Sequence, residues 1–294
     1  MKHSGSRPVG ERMLGNQLLG KVEIEFRDEH GSIIGGSRVV LLGELPIGGV
    51  LYPDCPASFP AFLRLWQHCI MTAYEIRHEI VRLGKSLHDK GFVAATDGNI
   101  SVRLDERRVL ATPTCLCKGM MTAEDLVVVD MQGRKLEGYR EVSSEIGMHM
   151  MIYRKCPETS AIVHAHPPTA TGFAAAGTAL DQALVSEIVI SLGSVPLAEY
   201  ATPGTQELVD SLEPLVTEHQ AVLMANHGVV THAEDLFTAY MHMETVEHFA
   251  KIVLTTHILG RQQVLSPDRV KQLAEIRRRL QDAKLATLRK EVPE

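Results

Sequence analysis

Ala161-Ile162-Val163-His164-Ala165-His166-Pro167-Pro168 is the stretch from which the rest of the chain can be read. Its small and β-branched residues read as a short strand, and the proline pair ends it because proline has no N–H to give to a ladder. His164 and His166 are two apart, so on a strand both rings leave the same face, with Cα atoms about 6.5–7 Å apart. Two imidazoles so placed can converge on one ion at metal–nitrogen distances near 2.1 Å, roughly the value for zinc. They can equally be half-buried histidines bonded to carbonyls. The prolines place the pair near a sheet edge, where a cleft can form.

Two further segments bear on that pair. Ala221–Ala225 is an apolar run closed by Asn226-His227-Gly228, and Gly228 allows a turn that could aim the His227 ring. Glu145 follows Val142-Ser143-Ser144 at the start of a helix expected over 144–153; alone it reads as a first-turn glutamate stabilised by the helix dipole. Three imidazoles and one carboxylate together make a zinc-type site that keeps a position for substrate.

Around these segments, apolar residues three and four apart from Trp66 through Ile70, Ala73, Ile76, Ile80 and Leu83 to Leu87 predict a helix with Gly91 as its stop. Short strands are expected at 100–104, 108–111 and 126–130, with a capping box at Thr122–Asp125 on a short helical turn. Helices at about 235–259 and 267–288 finish the chain. This mixture predicts an α/β protein with helices on a central sheet. Residues 1–61 read as a separate extension of strands (Val22–Phe26 and Arg38–Leu42) and loop, packed on a main domain at 62–294.

Composition excludes several classes. The 294 residues are 45% hydrophobic and 22% charged, and 30 Lys and Arg against 36 Asp and Glu give a net charge of −6. That offers no global basic field for nucleic acid or an anionic membrane. No apolar run approaches the roughly 18 residues of a membrane helix. The N-terminal residues lack the apolar stretch of a secretory signal. Five scattered cysteines imply no disulfide framework. The expectation is a cytoplasmic protein with neither a nucleic-acid nor a membrane partner.

Six motifs occur in order between about residues 66 and 260: Asp97-Gly98-Asn99-Ile100-Ser101, Thr112-Pro113-Thr114, Ser143-Ser144-Glu145, His164-Ala165-His166, Tyr200-Ala201-Thr202-Pro203-Gly204-Thr205 and Asn226-His227-Gly228. In this the chain resembles the class II aldolase/adducin family, which includes fuculose-phosphate aldolases. The resemblance implies a three-layer α/β/α sandwich around a mixed, largely antiparallel sheet. It implies that His164, His166 and His227 bind zinc, or another divalent cation such as Mn2+, Co2+ or Fe2+. Glu145 would complete the metal shell or transfer protons. Gly98, Asn99, Thr114, Ser143 and Ser144 would hold the substrate phosphate. The implied protein is a homotetramer with its active site between subunits. The implied reaction is cleavage or formation of a C–C bond in a phosphorylated keto-sugar or sugar acid through a metal-stabilised enediolate. Epimerase, dehydratase and decarboxylase chemistries share that site, and a non-catalytic adducin-like module is the alternative of another class.

The chain departs from the family pattern at two places. Cys115 stands where the family usually has a phosphate-loop glycine, and no tyrosine lies near Val185-Ser186-Glu187 to serve as the second acid. Glu187 is the one titratable residue there. Cys115 and Cys117 read as structural. Lys118 reads as a solvated loop lysine or as a charge for phosphate or carboxylate. His149, four after Glu145, shares its helical face and could orient it or be structural. His242, Glu244 and His248 read as structural or interfacial. The last helix carries Val270, Leu273, Ile276 and Leu280 on one side, with Arg277, Arg278 and Arg279 opposite or flanking, an amphipathic pattern with a solvated rim that suits packing or a subunit contact.

Overall fold

The computed structural model describes residues 20–24, 39–43 and 72–290. β1 (Gly20–Ile24) and β2 (Val39–Gly43) pair antiparallel, with Gly20 opposite Gly43 and Ile24 opposite Val39. They belong to a unit spanning Met1–Cys69, distinct from the unit Ile70–Glu294. The two strands match the alternation in the sequence. The segment between them, the connecting loop and the Trp66–Ile70 part of the expected helix lie outside the described residues.

The larger unit is built in chain order from α1 (Ala73–Asp89), β3 (Asn99–Arg103), β4 (Arg108–Ala111), a 3₁₀ turn (Ala123–Asp125), β5 (Val127–Asp130), β6 (Lys135–Glu137), α2 (Ile146–Lys155), β7 (Ala161–Ala165), α3 (Pro168–Ala175), α4 (Ser186–Ser191), β8 (Leu197–Ala198), α5 (Gln206–Val216), β9 (Ala221–Met224), β10 (Gly228–Ala233), α6 (Leu236–Ile258) and α7 (Pro267–Lys290). The sheet runs β6-β5-β4-β3-β7-β10-β9-β8 and is antiparallel except for the edge pair β8–β9. Apart from the exposed edge strand β6, its strands are largely buried on both faces. Ala161, Val163 and Ala165 of β7 face the core shared with α1, α3 and α6, while Ile162 faces the core shared with α2 and α5. Val128 and Leu110 likewise face the first core, and Val127, Val129 and Val109 the second. Two cores on opposite faces of one sheet make the three-layer α/β/α sandwich that the resemblance implied.

Several boundaries follow local chemistry. Thr72 caps α1 in a capping box with Glu75, and Gly91 ends it at φ +70°. Asp235 caps α6 by accepting from the Thr238 N–H. Other elements had no strong pattern. β10, Gly-Val-Val-Thr-His-Ala, is buried at every position, so it lacks alternation. α3 follows Pro167 without a local side-chain cap. Glu247, 2% exposed on α6, accepts instead from the N–H groups of Thr169 and Ala170 at 3.0 and 2.9 Å. The acidic group at the helix start thus comes from 77 residues further on. On the last helix Ile276 and Leu280 are 42% and 57% exposed, whereas Arg277, expected on the solvated rim, packs its side chain against Gly193.

These contacts fix the turn after β7 that carries His166. Replacing Glu247 with alanine strips a buried donor pair of its acceptor. Glu247→Ala is expected to lower unfolding free energy by about 1–3 kcal/mol, read as a drop in the urea midpoint at unchanged m-value. An unshifted midpoint would show that the cap carries no weight.

Candidate active site

Strand register brings the site together. Asn99 at the start of β3 lies opposite His164 near the end of β7, and Val230 of β10 lies opposite His164 on the other side. His227 precedes β10 by one residue, and Glu145 is the N-cap residue of α2. Residues far apart in the chain therefore meet at one end of the sheet, on the α2 side.

The three histidine rings form a triangle, with centroids 4.9 Å (His164–His166), 4.8 Å (His164–His227) and 5.1 Å (His166–His227) apart. One ring nitrogen from each lies within 4.8 Å of the others. His164 Nδ1 donates to the Val229 carbonyl at 2.9 Å, so its Nε2 carries a lone pair, and that atom is 3.1 Å from His166 Nε2. Nitrogens on a tetrahedral zinc lie about 3.4 Å apart when the bonds are near 2.1 Å. Glu145 Oε2 is 3.3 Å from His164 Nε2, and Oε1 is 3.2 Å from His227 Nε2. Two buried atoms here, Glu145 Oε1 and His227 Nδ1, have no hydrogen-bond partner among the described residues. Burial, and then the neighbouring rings, hold His164 well below its ordinary pKa. Burial also lowers His227, against the opposing pull of Glu145. Both shifts favour the neutral ring, the form that ligates a metal. Converging lone pairs and an unsatisfied carboxylate oxygen fit a divalent cation.

The backbone leaves room for this packing. A side chain at Gly228 would place its Cβ 2.5 Å from the His166 ring and 2.7 Å from the Ala165 carbonyl. This corrects the expected role of that glycine: the left-handed residue of the turn is Asn226, at φ +57°. Gly98, at φ +71°, is held similarly close to the His164 carbonyl.

A cavity of about 240 Å³ adjoins the histidines and is lined by Gly98, Asn99, Thr114, Ser143 and Ser144 together with Asp97, Cys115 and Pro203. All five residues expected around a phosphate therefore border one space. The Asn99 amide is engaged within the site, donating to Glu145 Oε2 at 2.8 Å. Gly204 packs against the Ser144 backbone, which brings in the Tyr200–Thr205 motif. Cys115 takes a left-handed backbone at φ +53°, a conformation that costs a side-chain-bearing residue about 1–2 kcal/mol. Glu187 is exposed in the first turn of α4 and does not line the cavity. His242 is buried and bonded to the His232 carbonyl, and Glu244 faces Lys90 at 3.5 Å.

Lys118 departs from the sequence reading. It is 1% exposed, and its ammonium donates to the carbonyls of Leu116 at 2.7 Å and Thr96 at 3.2 Å, tying together two loops that line the cavity. Burial lowers its pKa from 10.5 to about 8. Between those values the unfolded chain holds the extra proton, so stability rises with pH there. The unfolding free energy of the native chain minus that of Lys118→Met should increase by up to about 1.4 kcal/mol per pH unit between pH 8 and 10. A flat difference in parallel urea titrations would mean that burial does not shift this lysine.

Comparison with known proteins agrees with this arrangement. Residues 78–254 match the class II aldolase and adducin N-terminal domain. A 5-deoxy-D-ribulose 1-phosphate aldolase of Bacillus thuringiensis serovar kurstaki is 35% identical over 201 residues, which is 68% of this chain and 93% of that protein. A 3-oxo-tetronate 4-phosphate decarboxylase of Pectobacterium atrosepticum is 34% identical over 67% of this chain and 92% of its own length. A solved L-fuculose 1-phosphate aldolase superimposes with a TM-score of 0.65 at 33% identity, covering 70% of this chain and 97% of that one. With six motifs gathered at one end of one sheet and the family match spanning them, the chain belongs to the class II aldolase and adducin family.

Proposed function

We propose that the protein is a divalent-metal-dependent lyase that breaks or forms a carbon–carbon bond in a phosphorylated keto sugar or sugar acid. The observation that carries this reading is the meeting of His164, His166 and His227 beside a buried Glu145 oxygen that lacks a donor. The donor set, three imidazoles and a carboxylate, suits zinc. A cation held there supplies Lewis acidity toward the negative charge that develops on substrate oxygens.

The chain's own groups divide the remaining work. The Val229 carbonyl fixes the His164 tautomer, so that the ring presents Nε2 inward. Asn99 pins Glu145 Oε2, which leaves Oε1 as the oxygen able to complete the ligand set or to move a proton. The hydroxyls of Thr114, Ser143 and Ser144, with Gly98 and Asn99, form the phosphate pocket beside the N-terminus of α2, where helix amides favour an anion. Lys118 adds a positive charge behind those loops. Anchoring the phosphate holds the reacting end of the substrate at Glu145.

Decarboxylation of a 3-oxo acid phosphate is the second reading. Titratable residues lining the cavity are Asp97, Cys115, Glu145, His166 and His227, with no tyrosine among the described lining. Loss of CO₂ leaves an enolate that needs one proton at carbon, taken up from solvent and delivered through Glu145. Family likeness also underlies our proposal of a cytoplasmic homotetramer.

Protein purified without chelator should carry about one divalent ion per chain by elemental analysis, as expected of one tetrahedral-type site. The His164→Ala/His166→Ala double variant should lose it; unchanged stoichiometry would defeat the metal assignment. Incubation with ketose 1-phosphates should release dihydroxyacetone phosphate and an aldehyde, whereas 3-oxo-tetronate 4-phosphate would release CO₂ under the second reading. Silence with both classes would overturn the sugar-phosphate assignment.

A further inference from the structure

Behind Glu145 runs a buried line of polar side chains that leads away from the cavity into the layer between sheet and α2. Asn99 Nδ2 donates to Glu145 Oε2 at 2.8 Å. Asn99 Oδ1 meets His149 Nε2, His149 Nδ1 meets Ser101 Oγ at 2.6 Å, and Ser101 Oγ meets Tyr153 Oη at 2.9 Å. Ser101, His149 and Tyr153 are at most 1% exposed. Water cannot repair a wrong donor–acceptor match there, so each mismatch costs the full desolvation of a buried group.

The direction of every bond follows from its first member. A carboxylate only accepts, so the Asn99 amide must present its NH₂ to Glu145 and its oxygen to His149. That oxygen also only accepts, so His149 carries its proton on Nε2. Nδ1 is then bare, and Ser101 must donate to it. The Ser101 oxygen in turn receives the Tyr153 hydroxyl. Burial holds His149 at a pKa of about 3, so the ring stays neutral and its tautomer is defined.

We propose that His149 is a positioning residue: donating from Nε2 to the Asn99 oxygen and braced at Nδ1 by Ser101, it locks the orientation of the Asn99 amide and thereby holds Glu145 in its working geometry. The role rests on Glu145 acting as proposed above, but the tautomer itself does not. Were Nε2 bare, the Asn99 amide would turn its NH₂ toward His149 and set its oxygen against the carboxylate. A purely space-filling histidine would have no such preference.

The test has one arm that needs no substrate. Ring ¹⁵N shifts of the metal-loaded native protein should show His149 as Nε2–H; an Nδ1–H ring would overturn the proposal whether or not any lyase activity is found. In Ser101→Ala the Nε2–H tautomer should persist, because Asn99 Oδ1 still requires that donor, while the Nδ1 resonance shifts with the loss of its partner. The second arm uses whichever sugar phosphate turns over. His149→Leu and Ser101→Ala should lower kcat by about 10- to 100-fold, a larger change than in KM, to which Asn99 contributes only as one wall of the phosphate pocket. His149→Gln, whose amide can still donate to Asn99 Oδ1, should recover most of kcat. Equal loss in the Gln and Leu variants, or native kcat in folded Ser101→Ala, would overturn the role. Ser101→Ala removes only a hydroxyl and keeps the test open if His149→Leu fails to fold.

Discussion

Three imidazoles and a carboxylate crowd together at the end of the sheet, with ring nitrogens and carboxylate oxygens about 3 Å apart. In the absence of a cation such a cluster is a liability: bare lone pairs face one another, and a buried oxygen has nothing to accept. A divalent ion turns each of those costs into a bond. Much of the surrounding structure can be understood as holding the cluster in place until the ion is bound. The Val229 carbonyl orients one ring, Asn99 pins one carboxylate oxygen, and Gly228 supplies the absence of a side chain beside His166.

The sheet is suited to this because it is covered on both faces. Alternation along β7 sends Val163 and Ala165 into one core while Ile162 and His164 face the other, so the polar ring occupies a slot that an apolar residue would otherwise fill. Antiparallel pairing then lets β3 and β10 contribute neighbours on either side of His164. The costs of burying polar groups are met individually. Glu247 accepts from the start of α3, Lys118 satisfies two loop carbonyls, and the Asn99–His149–Ser101–Tyr153 line matches each donor to an acceptor. These groups link core and cavity, so packing on the α2 side bears directly on the carboxylate.

The cavity wall proposed for phosphate carries less charge than the proposed metal cluster. No lysine or arginine lines the cavity among the described residues; the cation Lys118 sits behind its walls. Hydroxyls, helix-end amides and a screened ammonium suit an anion that must bind and then leave, because a fully paired guanidinium would hold it more tightly. Cys115, with its left-handed backbone, lines the same cavity.

Reading residues in order was enough to find the candidate ligands and most of the elements that carry them. His-x-His on a strand, Asn-His-Gly after an apolar run and Ser-Ser-Glu before a helix are local patterns, and strand alternation and helix periodicity are written in neighbouring residues. The sequence also excluded a basic nucleic-acid surface and a long apolar span, and no helix among the described residues is long and apolar enough to cross a membrane. Other features depended on partners distant in the chain. β10 has no alternation because both its faces are buried, and α3 has no cap of its own because its acceptor comes from α6. Lys118 looked like a loop lysine, and its burial follows from two carbonyls that only folding brings to it. His149 was seen as a neighbour of Glu145 on one helix, yet it acts across to β3 through Asn99. Local sequence encodes what a residue can offer; tertiary structure decides which groups are shut away from water with it, and so which of those offers must be taken up.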